Sequence, residues 1–286
     1  VSFDSIPRLR ASELLERYPF VLLDAYGVLI THDGPLPGAA ALVDHLNGTG
    51  KPYLVLTNDA SRSAATSAGR YRRMGLAVDP GRIVTSGMLL AGHFRERGLA
   101  GTTCAVLGPE DALSYVSEAG GVPVPILDDM DAEAVIVCDE AGYSMLEAVD
   151  RILSLLYRRI DAGKPVHLVL ANPDLVYPAG PGRFGITGGA MALILEEALR
   201  FRYPERPDLR FTRLGKPHRP MFAEALRRSG TRDMVMVGDQ LATDIRGAAD
   251  FGIDSALVPT GMTRVEGPAP AAGPLPTWIL ESLELD

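Results

Sequence analysis

The chain has 286 residues, 47% of them hydrophobic and 22% charged, with a formal net charge of -8 and a pI near 5.2. That composition is ordinary for a globular protein of about two domains with a full core, and the acidic balance argues against non-specific binding to nucleic acid or to anionic membranes. No apolar run approaches the roughly 18 residues of a membrane span. The two cysteines, Cys104 and Cys138, lie in apolar runs as core thiols rather than in a disulfide framework, which suits a reducing cytoplasm.

In chain order, residues 1–17 carry several charges and no signal-type apolar region. Ser12 to Arg17 predicts a short helix with Ser12 as N-cap. Phe20-Val21-Leu22-Leu23-Asp24 is a continuous apolar run closed by a carboxylate, the pattern of a strand buried on both faces. Gly27 follows, able to turn sharply and approach a ligand. After a loop with Gly34, Pro35, Pro37 and Gly38, a helix is expected over Ala39 to Leu46, and a second buried strand over Lys51 to Thr57. Ser61 is placed to cap a helix reaching about Met74, and Arg82 to Thr85 predicts a third strand. Strands rich in Val, Ile and Leu that alternate with helices indicate a parallel sheet with right-handed crossovers, so Asp24 and Thr57 should emerge at the same sheet edge.

From Leu89 to Gly185 the alternation continues without obvious reactive residues. Strands are expected at Thr103 to Leu107, Ala134 to Cys138 and Val166 to Leu170, and helices at Leu113 to Ala119 and Met145 to Ile160. The glycine-rich stretch from Ala179 to Gly189 suits a hinge or a ligand-facing loop, followed by a helix over Ala190 to Arg200. Further on, Gly215-Lys216-Pro217 precedes a helix at Met221 to Arg228, and Met234 to Val237 predicts a buried strand running into Gly238-Asp239. Asp244 falls in the first turn of a helix ending near Phe251, and Ser255 to Val258 predicts another strand. A Pro/Gly/Ala-rich loop at Gly267 to Pro276 leads to a last edge strand at Trp278 to Leu280.

The chemistry-bearing residues lie at strand ends. Asp24, Asp239 and Asp244 are clustered carboxylates, which repel one another unless something positive binds them. Hard oxygen ligands without nitrogen or sulfur neighbours suit Mg²⁺, and His32, His45, His93, His167 and His218 show no metal-type pairing. A carboxylate can also act as a covalent nucleophile toward phosphate. Thr57, Lys216 and backbone N–H groups near Gly27 and Asn58 could hold phosphoryl oxygens.

This set resembles the haloacid dehalogenase superfamily, in Asp24-x-x-Gly27, Thr57-Asn58, Lys216 and Gly238-Asp239-x-x-x-x-Asp244. Leu56-Thr57-Asn58, Thr85-Ser86-Gly87, Ala171-Asn172-Pro173-Asp174, the 185–189 turn, Asp244-Ile245-Arg246-Gly247-Ala248 and Pro276-Thr277-Trp278-Ile279 narrow the likeness to class IIA, which includes sugar and nucleotide phosphatases, para-nitrophenylphosphatases and pyridoxal-phosphate phosphatases. The resemblance implies an α/β fold with a Rossmann-like core of parallel sheet at 1–88 and 186–286, and an inserted α/β cap at 89–185. By the same analogy Asp24 is the nucleophile, Thr57, Asn58 and Lys216 bind phosphate, and cap residues around Asn172 to Gly185 set specificity. Mg²⁺ would be held by Asp24, Asp239, the carbonyl of Tyr26 and, directly or through water, Asp244. The implied activity is hydrolysis of a small phosphorylated metabolite in the cytoplasm, with a homodimer formed through the cap.

One position departs from the pattern. Phosphatases of the superfamily carry a second aspartate two residues after the nucleophile, as acid and base, and this chain has Tyr26. A phenol with a pKa near 10 is a poor base at neutral pH, and a positioned acid/base contributes about 10²–10⁴-fold. His32 and His218 are the substitutes the sequence offers. The departure leaves three readings open: a slowed phosphatase, a dehalogenase-like or acyl-phosphate hydrolase with a good leaving group, or a silent phosphometabolite-binding protein.

Overall fold

The structure, a computed structural model, describes residues 2–180, 182–259, 263 and 273–285. Buried apolar runs alternate with amphipathic segments and set the element order. The strands are β1 (Arg8–Leu9), β2 (Phe20–Asp24), β3 (Tyr53–Thr57), β4 (Ile83–Thr85), β5 (Thr103–Leu107), β6 (Val122–Val124), β7 (Ala134–Val137), β8 (His167–Leu170), β9 (Val176–Gly180), β10 (Arg183–Ile186), β11 (Thr212–Arg213), β12 (Met234–Gly238), β13 (Asp254–Leu257) and β14 (Trp278–Leu280). The helices are α1 (Ala11–Arg17), α2 (Ala39–Thr49), α3 (Ala64–Arg73), α4 (Leu89–Arg97), α5 (Glu110–Glu118), α6 (Met145–Asp161), α7 (Gly188–Arg202), α8 (Arg219–Ser229) and α9 (Arg246–Phe251).

The chain forms two compact units. The first comprises residues 1–57, 64–84 and 216–286, the second residues 58–63 and 85–215. In the first, a seven-stranded sheet runs β1-β14-β13-β12-β2-β3-β4. β2 lies between β12 and β3, parallel to both, with Leu23 opposite Val237 and Val55, and Asp24 opposite Leu56. Asp24, Thr57 and Asp239 therefore leave the same, carboxyl-terminal edge, where open α/β sheets place their chemistry. Leu23, Val55 and Val237 lie in one apolar cluster with Leu42, Val43 and Leu46 of α2. Burying such a side chain contributes about 1.5–3 kcal/mol, so this cluster fixes the edge that carries the acids.

The second unit has a five-stranded sheet of order β11-β8-β7-β5-β6, with parallel pairing throughout. Its core gathers Val135, Val137, Ile152, Leu156, Met191, Leu195, Leu199 and Phe211. Here the unit boundary differs from the sequence expectation, which gave residues from 186 onward to the first unit. Met191, Leu195 and Leu199 of α7 bury their faces against α6 and β7, and β11 pairs with β8, so residues 186–215 belong to the second unit. Residues 58–63 belong there too: the Ser63 N–H donates to Asp111 at 2.7 Å, and the Tyr115 hydroxyl donates to the Arg62 carbonyl at 2.8 Å.

Several local expectations are corrected. α1 starts one residue before Ser12, because Glu13 folds back to accept from the Arg10 N–H at 2.9 Å and closes that end. Ser61 does not cap α3; its N–H and hydroxyl both go to Asp59, at 2.8 and 2.6 Å. The stretch expected as a hinge or loop within 179–189 contributes instead to the antiparallel hairpin β9–β10, with Tyr177 opposite Gly185. β14 is not the sheet edge, since β1 pairs outside it; a two-residue strand is too short to show periodicity. Most of the expected loop at Gly267 to Pro276 lies outside the described residues.

Candidate functional site

The carboxyl-terminal edge of the first unit's sheet gathers three acids. Asp24 ends β2 and is 5% exposed, and one of its oxygens accepts from the Ala25 N–H at 2.6 Å. Asp239 follows directly after β12, 1% exposed. Asp244 sits in a wide π-helical turn over Leu241–Ile245 rather than in the first turn of a regular helix. That turn is closed reciprocally: the Asp244 N–H donates to the Gln240 carbonyl at 3.1 Å, and the Gln240 N–H donates to Asp244 Oδ2 at 3.2 Å. Two glycines make room. A Cβ at Gly27, whose φ is +95°, would fall 2.3 Å from Asp239 Oδ2, and one at Gly238 would fall 2.4 Å from Asp244 Cγ. The Gly27 N–H donates to the Ile30 carbonyl at 2.8 Å, so this glycine serves by its missing side chain and not, as its place in the sequence suggested, by an open N–H.

Lys216, 2% exposed, places Nζ 2.6 Å from Asp24 Oδ1 and 2.7 Å from Asp244 Oδ1. Oxygens of Asp24, Asp239 and Asp244 all lie within 4.8 Å of one another. Two carboxylates at that distance repel by about 3–4 kcal/mol at an effective dielectric near 20. Burial first, then the charge of Asp244, pushes Asp24 well above the usual carboxylate range, against the pull of Lys216. Burial alone would lower Lys216, but Asp24 and Asp244 outweigh it and hold the ammonium charged. Three acids and one ammonium leave the site short of positive charge, and hard oxygen donors at this spacing fit a small divalent cation.

The other expected site residues are placed as follows. Thr57 closes β3 beside Asp24 and is 6% exposed. Asn58, next in the chain, begins the second unit's first segment and donates from Nδ2 to Asp174 Oδ1 at 2.9 Å. Asn172 is buried in the second unit, donating to the Thr187 hydroxyl at 3.0 Å and accepting from the Asp174 N–H at 3.0 Å, so its amide braces the turn before α7. Tyr26 is partly buried and packs against the apolar cluster that holds β2. Among the substitutes for an acid/base, His32 lies 3.0 Å from Asp33, and His218 stands at the N-cap position of α8.

Sequence reasoning passed over Asp139 and Glu140, in a stretch it described as lacking obvious reactive residues. Asp139 is 8% exposed, and burial, with Glu140 beside it, pushes its carboxyl up to about 7. The signal was present: these acids follow the apolar run Ala134–Cys138, much as Asp24 closes the run that begins at Phe20.

Known proteins resemble this chain over most of its length. A family model described as haloacid dehalogenase-like hydrolase matches residues 21–121, and a second, HAD-hydrolase-like model matches residues 213–285. A crystal structure of a "possible sugar phosphatase, HAD superfamily" from Cytophaga hutchinsonii is 32% identical, covers 98% of this chain and 99% of its own, and superposes with a TM-score of 0.83. A dihydroxyacetone phosphatase from Corynebacterium glutamicum is 28% identical over 85% of this chain and 81% of its own length. A glycerol phosphate phosphatase from Mycobacterium tuberculosis, crystallised with magnesium, is 27% identical over 87% of this chain and 70% of its own, with a TM-score of 0.71.

Proposed function

Because the chain belongs to the haloacid dehalogenase-like hydrolases, we propose that it is a phosphatase of small sugar phosphates that works with Mg²⁺ and uses Asp24 as nucleophile. The observation that carries this reading is the charge arrangement: three buried carboxylates within 4.8 Å, with a single lysine between two of them. Asp24, Asp239, Asp244 and the Tyr26 carbonyl would hold the ion. When bound, it supplies positive charge that lets an anionic phosphate approach an anionic nucleophile. An Asp24 oxygen then forms a bond to phosphorus as the P–O bond to the sugar breaks, and the sugar oxygen takes its proton from water, since Tyr26 stands in place of the usual acid. Water later cleaves the aspartyl phosphate and releases inorganic phosphate. Lys216 and the Thr57 hydroxyl, with Asn58 following it, are the groups that would steady the phosphoryl oxygens. Names of the relatives support small sugar phosphates as the substrate class: a dihydroxyacetone phosphatase and a glycerol phosphate phosphatase. The test is phosphate release from dihydroxyacetone phosphate and para-nitrophenyl phosphate with Mg²⁺ and with chelator. Turnover should need the metal and vanish in Asp24→Asn; turnover that survives that substitution overturns the reading.

Tyr26 favours a second reading within the same chemistry. A partly buried phenol packed on the core stands where a carboxylic acid would protonate a leaving alkoxide. Substrates whose leaving group departs unprotonated, such as acyl phosphates or halides, need no such acid. If acetyl phosphate, chloroacetate and fluoroacetate are all untouched, this second reading fails.

A further inference from the structure

Two stretches, Thr85-Ser86-Gly87 and Ala171-Asn172-Pro173-Asp174, do none of the chemistry proposed above, yet both reach Asn58. The Ser86 hydroxyl, on a fully buried residue, donates to the Asn58 carbonyl at 2.6 Å. Asn58 Nδ2 donates to Asp174 Oδ1 at 2.9 Å. Gly215 lies flush against the other side of the amide, where a Cβ would fall 2.6 Å from Asn58 Oδ1. Asp174 is itself fixed at both backbone atoms: its N–H donates to Asn172 Oδ1 at 3.0 Å, and its carbonyl accepts from the Gly189 N–H at 2.9 Å. Gly215 is held through its N–H, which donates to the Ala171 carbonyl at 3.1 Å. All of these residues belong to the second unit.

Asn58 and Gly215 are each one peptide bond from a residue assigned to the phosphoryl oxygens, Thr57 and Lys216. Donors held in place before an anion arrives lose little freedom on binding it, which is why preorganised groups bind and stabilise charge well. A carboxylate one hydrogen bond away from a residue that steadies phosphate disfavours the anion by its own charge. What Asp174 offers in return is a charge-assisted bond to the Asn58 amide, about twice as strong as a neutral one. We propose that Asp174, with Ser86, is a positioning residue for phosphate binding. The two hold Asn58 by its amide and by its carbonyl, and through it the peptide that follows Thr57, in the geometry that receives the anion. The inference rests on the phosphatase reading for the anion it invokes.

The test is calorimetric titration of the full chain with inorganic phosphate in saturating Mg²⁺, alongside KM and kcat for para-nitrophenyl phosphate. Asp174→Ala should weaken phosphate binding and raise KM about tenfold, the loss expected of one hydrogen bond to a charged group. The change should fall on KM rather than kcat, since the bond serves the bound phosphate throughout. Asp174→Asn keeps an oxygen acceptor for the amide and should restore most of the affinity. A purely bracing role would lower the thermal midpoint of Asp174→Ala and leave phosphate affinity unchanged. Ser86→Ala, which removes the bond to the Asn58 carbonyl, should weaken phosphate binding as well and carries the test if Asp174→Ala does not fold. Phosphate bound by these folded variants as tightly as by the parent, or more tightly, overturns this inference alone, as does an Asp174→Asn variant no better than Asp174→Ala. A parent that binds no phosphate in Mg²⁺ overturns the phosphatase reading and this inference with it.

Discussion

Lys216 Nζ lies 2.6 Å from Asp24 Oδ1 with both side chains buried, and the same nitrogen also reaches Asp244 at 2.7 Å. The lysine therefore holds two of three mutually repelling acids. Removing one member of a buried ion pair typically costs about 3–5 kcal/mol, because the remaining charge stays desolvated. Lys216→Ala should lose stability of that order in urea unfolding with chelator present, and millimolar Mg²⁺ should return part of it. A loss below about 1 kcal/mol would mean that the lysine is not neutralising the acids.

Cation binding should appear in stability as well as in activity. A ligand that binds only the folded state at 100 times its Kd adds about 2.7 kcal/mol. The thermal midpoint should therefore rise with Mg²⁺. Asp239→Asn removes one of the three converging carboxylates and should abolish most of the rise. An equal Mg²⁺ response in the variant would place the ion elsewhere.

Gly27 gives a steric test of the same site. An alanine there would adopt a φ of +95° and push its Cβ to 2.3 Å from Asp239 Oδ2. Such backbone strain costs about 1–3 kcal/mol, and the displaced carboxylate adds a functional defect. Gly27→Ala should lower the thermal midpoint and weaken the Mg²⁺ dependence of turnover together; a variant with native midpoint and native Mg²⁺ response would show that Asp239 has room to move.

The Tyr26 position separates a missing acid from a rebuilt site. If the phenol is the only defect, Tyr26→Asp should raise turnover of glycerol phosphate toward the 10²–10⁴-fold that a positioned acid/base contributes. Para-nitrophenyl phosphate, whose leaving group hardly needs a proton, should gain much less. An unchanged or lower rate on both substrates would show that the surroundings of Tyr26 have changed along with it.

Much of this was legible in the sequence because buried parallel strands write themselves as continuous apolar runs, and the residue that ends such a run sits at the functional edge. Asp24, Thr57 and Asp239 were readable in that way, and Lys216 through the resemblance carried by Gly215-Lys216-Pro217. What was not legible depended on packing between distant segments. Whether α7 belonged with the strands before or after it turned on which core accepted Met191, Leu195 and Leu199. The pairing of Arg8–Leu9 outside β14 involved too few residues to leave a periodic trace. The hydrogen bonds from Asn58 to Asp174 and from Asn172 to Thr187 join residues too far apart in sequence to be read from it. Asp139 and Glu140 went unread because no partner acid or lysine accompanied them in sequence, although they follow an apolar run as Asp24 does.

Asp139 finally links stability to pH in a direction that can be measured. Its carboxyl is pushed up to about 7 by burial and by the neighbouring Glu140, against about 3.9 in an unfolded chain. The folded state then binds a proton that the unfolded state has released. Asp139 is least unfavourable to folding below about pH 4, and stability is lost progressively as the pH rises from there through about 7. Full expression of such a shift is worth about 4 kcal/mol, an upper bound because the group retains some solvent. Asp139→Asn cannot ionise, so relative to the parent it should gain stability at pH 8 by about 1–3 kcal/mol and gain little at pH 4.5. Urea midpoints across that range measure the difference. A gain that did not grow with pH would mean that the carboxylate has found a compensating partner in solution.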